Sequence, residues 1–270
     1  MTKKVFLGVG HGGSDPGAVG NGLKEKDLNL AIALACRDEL ARHGVTVSMS
    51  RTKDENDDLN EEVKECNAFN PDLAVDIHNN AGGGDGAEAF YHYGGGLSKT
   101  AADNILAEIV KIGQNSRGAK IRKNAQGKDY YGFIRMTKAP AVIVESAFVD
   151  NATDIAIIDT EAEQKAMGVA IAKGILKTLG IVYVAPDTTL VSEPVVQPAP
   201  NPTAPKVNYY PRYFGTSNSL VDTLKVVKVS SSFENRKKIA KANGITNYSG
   251  TAAQNTQLLN LLKQGKLIKY

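Results

Sequence analysis

Val5-Phe6-Leu7-Gly8-Val9-Gly10-His11-Gly12-Gly13 opens the chain with an apolar run that ends on a histidine flanked by glycines. A short apolar run bounded by a turn signal reads as a buried strand, and glycine lets the backbone turn sharply beside the His11 ring. The same arrangement recurs twice. Leu73-Ala74-Val75-Asp76-Ile77 runs into His78-Asn79-Asn80, and Ala141-Val142-Ile143-Val144 runs into Glu145. Between the first two runs, Glu25 stands at the start of a strongly helical stretch. His11, His78 and Glu145 thus leave strands at their carboxyl ends, where α/β sheets collect their active groups.

The rest of the body fits that frame. Strands are expected over 5–10, 45–49, 73–77, 87–93 and 141–145, and helices over 27–43, 59–69, 99–112 and 160–179. Gly44 is a natural helix C-cap, and Asn70-Pro71 stops the second helix. Alternation of this kind predicts an α/β fold with a central, mostly parallel sheet flanked by helices. Pro186, Pro194, Pro198, Pro200, Pro202 and Pro205 mark 182–205 as an extended spacer, because proline lacks an amide donor and fixes φ. The spacer divides a body, 1–181, from a tail, 206–270, whose helices are expected over 218–227, 233–243 and 252–262. The tail therefore reads as a small helical domain.

At 270 residues, 42% hydrophobic and 23% charged, the chain has the composition of ordinary globular protein. No stretch approaches the roughly 20 apolar residues of a membrane helix. The N-terminal apolar run is too short for a signal peptide and meets a histidine-glycine turn instead of a cleavage site. The expectation is a protein made in a cytoplasm without an export signal. Cys36 and Cys66 fall inside expected helices with no metal or redox spacing, so buried thiols are expected rather than a disulfide. The net charge of +3 hides an asymmetry: residues 1–181 hold 21 Lys+Arg against 25 Asp+Glu, whereas 206–270 hold 11 against 2. A basic tail on a mildly acidic body predicts a polyanionic partner. Tyr209, Tyr210, Tyr213, Tyr248 and Tyr270 suit it to sugar stacking, and no recognition helix or zinc-finger spacing points to nucleic acid.

Two imidazoles and a carboxylate form the donor set of a catalytic zinc, which keeps one position open for water. Each residue alone has a plainer reading. His11 could cap a strand in a turn, Glu25 could be a solvated glutamate stabilised by the helix dipole, and His78 could be a satisfied core histidine. Glu145 could be a buried carboxylate paired with a lysine or arginine. A phosphate-cradling loop at 10–13 lacks the Gly-Lys-Ser/Thr that it needs. His43 and His92 read as structural or peripheral.

Taken together the motifs are more specific. Gly10-His11-Gly12-Gly13, Asp15, Gly17 and Glu25-Lys26-Asp27-Leu28-Asn29-Leu30 are followed by Ser50-Arg51-Thr52 and Asp76-Ile77-His78-Asn79-Asn80-Ala81. Arg117-Gly118-Ala119-Lys120 and Pro140-Ala141-Val142-Ile143-Val144-Glu145 complete the series. Over about residues 4–180 this series resembles the zinc-dependent N-acetylmuramoyl-L-alanine amidases. One departure is Ser146-Ala147-Phe148, where relatives often carry a glycine before the phenylalanine. The resemblance implies Zn2+ held by His11, Glu25 and His78, with Glu145 as the catalytic carboxylate. It implies a hydrolase that cleaves the amide between N-acetylmuramic acid and L-alanine in peptidoglycan. Asn80 is expected to fix the loop or to make a hydrogen bond behind the metal ligands, and Arg117 to hold a peptide carboxylate or face solvent.

Ser232-Phe233-Glu234-Asn235-Arg236-Lys237-Lys238-Ile239-Ala240-Lys241-Ala242-Asn243-Gly244-Ile245 resembles wall-binding modules of clostridial and bacillar lysins. That implies peptidoglycan and wall polymers as partners, with no nucleic acid and no membrane insertion. The expectation is a phage endolysin held in the host cytoplasm until a membrane pore releases it to the wall of a Gram-positive host. Two alternatives stay open: a zinc carboxypeptidase or endopeptidase of the stem peptide, and a non-catalytic wall-binding protein.

Overall fold

The computed structural model describes residues 2–186, 208–211, 213, 217, 219–263 and 266–270. The proline-rich spacer expected over 182–205 lies outside the described residues from 187 onward. The chain forms two compact units, Met1–Thr189 and Leu190–Tyr270.

In the first unit, β1 (Lys4–Val9) is followed by a small hairpin, β2 (Val19–Gly20) and β3 (Leu23–Lys24), and by α1 (Glu25–Arg42). Next come β4 (Thr46–Met49), α2 (Leu59–Phe69), β5 (Leu73–Asn80), β6 (Ala87–Tyr91), α3 (Leu97–Lys111) and β7 (Ser116–Lys120). The unit closes with α4 (Gly132–Met136), β8 (Ala141–Phe148), α5 (Ala152–Ile155) and α6 (Glu161–Thr178). Thr160 caps α6 through a reciprocal capping box with Glu163. Six strands form one sheet in the order β4-β1-β5-β8-β6-β7, and only the β6–β8 pairing is antiparallel. The reversal has a simple cause: the glycine-rich link over 81–86 is too short for the crossover that a parallel return requires, so β6 must run back.

Both faces of the sheet are covered, which explains why its strands read as continuous apolar runs. On one face Val5, Leu7, Val9, Val75, Ile77, Val142 and Val144 pack against α1, α3 and α6. On the other, Phe6, Ala74, Ala141, Ile143 and Phe90 pack with Val63 and Cys66 of α2 and Phe133 and Ile134 of α4. This second core stops halfway along the strands. Moving on by two residues on the same face, Phe6 gives way to Gly8, Ala74 to Asp76, Ile143 to Glu145 and Phe90 to Glu88. The polar half of this face is where the candidate site lies.

Three features depart from expectation. His78 lies inside β5 rather than just past it, and Glu145 lies inside β8 rather than at its last position, because backbone pairing continues past the apolar run: His78 pairs with Glu145 and Asn80 with Phe148. β6 ends at Tyr91, so His92 lies past the strand. β7, α4, α5 and the β2–β3 hairpin had no counterpart in the pattern of the sequence; β7, an edge strand, reads Ser-Arg-Gly-Ala-Lys and carries no apolar alternation. Cys36 and Cys66 are free and buried, and burial pushes the Cys66 thiol up to about 12. No helix among the described residues is long and apolar enough to cross a membrane.

The second unit carries α7 (Leu220–Val226), α8 (Phe233–Ala242) and α9 (Ala252–Lys263). Ser219 and Ser232 cap the first two of these helices. Leu220, Leu224, Ile239, Tyr248, Leu258, Leu262 and Leu267 form its core. Arg236 Nη1 donates to the Tyr248 hydroxyl at 2.7 Å and to Asn255 Oδ1 at 3.0 Å, tying α8 to α9 and the link between them.

Candidate metal centre

Three elements deliver one donor each. His11 sits in the loop after β1 at φ 63°, with Gly12 at φ 148° and Gly13 at φ 54° completing the turn. Glu25 is the first residue of α1, where the helix N-terminus favours a carboxylate. His78 comes from β5. His11, Glu25 and His78 each offer one ligand atom, and these three atoms lie within 4.8 Å of one another. Glu25 stands between the rings, with Oε2 at 3.2 Å from His11 Nε2 and Oε1 at 3.0 Å from His78 Nδ1. The same carboxylate accepts from the Ala18 and Asn79 amides at 2.8 and 3.1 Å, so its position is fixed from the protein side.

Each ring is held at its other nitrogen by a second carboxylate. Asp15 Oδ2 lies 2.8 Å from His11 Nδ1, and Asp76 Oδ2 lies 3.2 Å from His78 Nε2. Carboxylates behind ligating imidazoles orient the ring and raise its basicity. Glycines make the room. A Cβ at Gly10 would fall 2.1 Å from His78 Cε1, and one at Gly17 would fall 2.6 Å from both Glu25 Oε2 and His11 Cδ2. A Cβ at Gly8 would fall 2.3 Å from Glu62 Oε1 and 2.6 Å from Asp76 Oδ1.

The electrostatics favour a cation. Burial pushes the Glu25 carboxyl up, but hydrogen bonds from His11 and His78 outweigh it and hold it far below the usual carboxylate range. Burial draws His78 down, yet Asp76 and Glu25 bring it well above an ordinary imidazole, and the hydrogen bond to Glu25 raises His11. The attraction that favours protons on these rings equally favours a metal ion among them. Two imidazole nitrogens and one carboxylate fit a catalytic zinc by ligand type and number.

Glu145 lies beside this cluster, paired with His78 across β8 and β5. Its Oε2 is buried with no hydrogen-bond partner among the described residues. Burial, reinforced by Glu25, Asp76 and Glu88, raises its pKa to about 7 against the pull of His78. A carboxyl at that value can give or take a proton near neutral pH.

Other residues find plainer duties. Arg51 is buried and donates to the carbonyls of Val9, Gly10 and Lys26 at 3.0, 3.2 and 2.8 Å, which locks the His11 loop to α1. Asn80 Nδ2 donates to Glu88 Oε1 at 3.1 Å, and its Oδ1 accepts from the Ala81 amide at 2.8 Å, so it does hold the loop. Arg117 Nε donates to Glu88 Oε2 at 2.8 Å. His43 stacks on Tyr183, and His92 stacks on Tyr93 and lies 3.4 Å from Asp129, both away from the cluster. Asp76 and Glu88 were missed from sequence, although each is a lone charge within an apolar strand on the face that bears His78.

A mostly parallel sheet carrying a His, Glu and His donor cluster beside a carboxyl poised near neutrality has the makings of a metal-assisted hydrolase. Residues 5–177 match the family described as N-acetylmuramoyl-L-alanine amidase, and the chain belongs to that family. It is 36% identical over 189 residues to the N-acetylmuramoyl-L-alanine amidase CwlM of Bacillus licheniformis, covering 67% of this chain and 72% of that protein. It is 33% identical over 190 residues to the endolysin of Bacillus phage SPP1, covering 67% of this chain and 68% of that protein. Among solved structures it is similar to the catalytic domain of CwlV, the N-acetylmuramoyl-L-alanine amidase of Bacillus (Paenibacillus) polymyxa var. colistinus. That likeness has a TM-score of 0.60 at 29% identity and covers 67% of this chain and all of that one (100%).

Proposed function

We propose that the chain is a zinc-dependent hydrolase of the amide joining N-acetylmuramic acid to L-alanine in peptidoglycan. His11, Glu25 and His78 hold the metal and Glu145 moves the proton. The pairing of Glu145 with His78 supports this best, since it sets a carboxyl with a pKa of about 7 one strand away from the donor cluster. When bound, zinc supplies Lewis acidity towards the attacking water and the scissile carbonyl. Asp15 and Asp76 keep the two rings turned towards the metal. Glu145, as general base, accepts the proton of the attacking water and returns it to the departing L-alanine amine. A carboxyl titrating near neutrality suits both transfers.

Residues 206–270 then act as a wall-binding module tethered through 182–205 to the catalytic body, 1–181. Their charge, 11 Lys+Arg against 2 Asp+Glu, suits an anionic wall polymer. The likeness to a phage endolysin supports a bacteriolytic role at the end of phage growth, with release from the host cytoplasm to the wall. Tethering raises the local enzyme concentration at the wall.

End-group analysis of purified cell walls tests the reading. New amino groups on L-alanine, lost with chelator and restored by Zn2+, are the expected result. Free D-alanine or an internal amine would make the chain a carboxypeptidase or endopeptidase, and no release at all would leave a wall-binding protein.

A further inference from the structure

Row by row, the polar half of the sheet face continues beyond the metal cluster. His78 on β5 pairs with Glu145 on β8, and Glu145 pairs with Glu88 on β6. Residues paired directly across strands point to the same side, so the three form one line. At the far end of that line two cations from β7 share the Glu88 carboxylate: Arg117 through Nε at 2.8 Å, and Lys120 through a short contact from Nζ. Phe148 lies beneath the Arg117 guanidinium, 5.0 Å from ring centroid to Cζ. The anion is hidden and the cations are not, with side-chain exposures of 8% for Glu88, 38% for Arg117 and 36% for Lys120. Burial pushes the Glu88 carboxyl up, and the two cations together bring it below its ordinary range. One carboxylate against two cations leaves a net positive charge facing solvent beside the reacting groups.

We propose that Arg117 and Lys120 form an anion subsite that takes the free carboxylate of the acidic residue following L-alanine in the stem peptide. This rests on the amidase reading above. Distance supports it: neighbouring strands are about 4.8 Å apart, which puts the cations one to two strands beyond Glu145. An extended peptide covers about 7 Å in two residues, so the carboxylate after L-alanine reaches that position when the scissile amide lies at Glu145. Charge supports it as well. On the β1 side the cluster is bordered by Asp15, a poor neighbour for a peptide carboxylate, so the peptide runs towards β7 and the glycan towards β1. Glu88 is the positioning residue, and Asn80 ties it to the strand that bears His78.

The test compares two soluble glycan-linked stem peptides of equal length, one with a free α-carboxylate on the second residue and one with its carboxamide. The full-length zinc-loaded enzyme should favour the acid in kcat/KM by about tenfold or more, mainly through KM, as a charge-assisted hydrogen bond provides. Arg117→Gln and Lys120→Gln should each bring that ratio towards one. Each single variant leaves Glu88 one cation, so no buried carboxylate is stranded. Arg117→Lys, which keeps the charge and loses the fork, should fall between. A wild-type ratio near one, or variants that slow both substrates equally and keep the ratio, would overturn the subsite and leave the amidase reading intact. Release of no L-alanine amine from either substrate would overturn both.

Discussion

The two faces of the central sheet are made by the same strands and differ in what they finish. One stays apolar as far as Val9, Ile77 and Val144 and packs against α1, α3 and α6. The other is apolar only as far as Phe6, Ala74, Ile143 and Phe90, then carries Gly8, Asp76, Glu145 and Glu88. Because side chains alternate along a strand, Ile77 belongs to the core and His78 to the site, and Val144 and Glu145 divide in the same way. One register thus serves both packing and chemistry, and a substitution one position away changes which of the two is lost.

The strongest way to break the comparison is on the polar face. His78→Ala or His11→Ala should lose zinc and wall hydrolysis together, measured by elemental analysis beside end-group release. A His78→Ala protein that kept stoichiometric zinc would remove this cluster from consideration. Glu145→Gln should keep the metal while turnover falls by about 10²-fold or more, as loss of a general base does. Loss of zinc in that variant would make Glu145 a ligand instead.

Next comes the opposite face. Ile77→Ala should destabilise the fold by roughly 2–5 kcal/mol in denaturant titration, as a truncated core side chain does, with zinc still bound below the transition. Gly10→Ala should do the reverse, weakening zinc binding more than stability, because the new methyl would fall 2.1 Å from His78 Cε1. If both variants lost zinc and stability in parallel, the two faces would not be separable.

The smallest effect follows from Glu145 itself. Burial raises its folded pKa from 4.5 to about 7. Between those values the folded chain keeps a proton that the unfolded chain has released, so this carboxyl's contribution to stability falls as pH rises through the window. The metal-free Glu145→Gln variant should therefore be more stable than its parent at pH 8, by about 1–3 kcal/mol. Below pH 4.5 the difference should vanish. Equal stabilities at pH 8 would mean that the carboxyl is relieved by solvent.

Much of this was legible in the chain. Apolar runs ending on His11, His78 and Glu145 marked three strands and, with them, three polar side chains that the fold gathers near one another, because a buried strand and a polar group at its end leave adjacent signatures. The reversed strand β6 was legible in principle from the short link 81–86. β7 was not, since an edge strand with one polar flank needs no apolar alternation. Asp76 and Glu88 went unread because their roles depend on which strands lie next to each other. Lys120 acquires its place only when β7 pairs with β6, as Phe90 pairs with Lys120. The left-handed backbone at His11 left no trace, because the glycines that follow it could have absorbed the whole turn.

That backbone has a consequence for the history of the protein. An L-residue other than glycine at φ 63° costs roughly 1 kcal/mol or more. Glycine or asparagine at position 11 would relieve it, so a population of variants screened only for heat resistance should drift towards those residues and become inert. With His11 as a proposed metal ligand, keeping histidine there would require continual selection for turnover, and position 11 would be among the first to change in a lineage that retained the fold after it had stopped cutting.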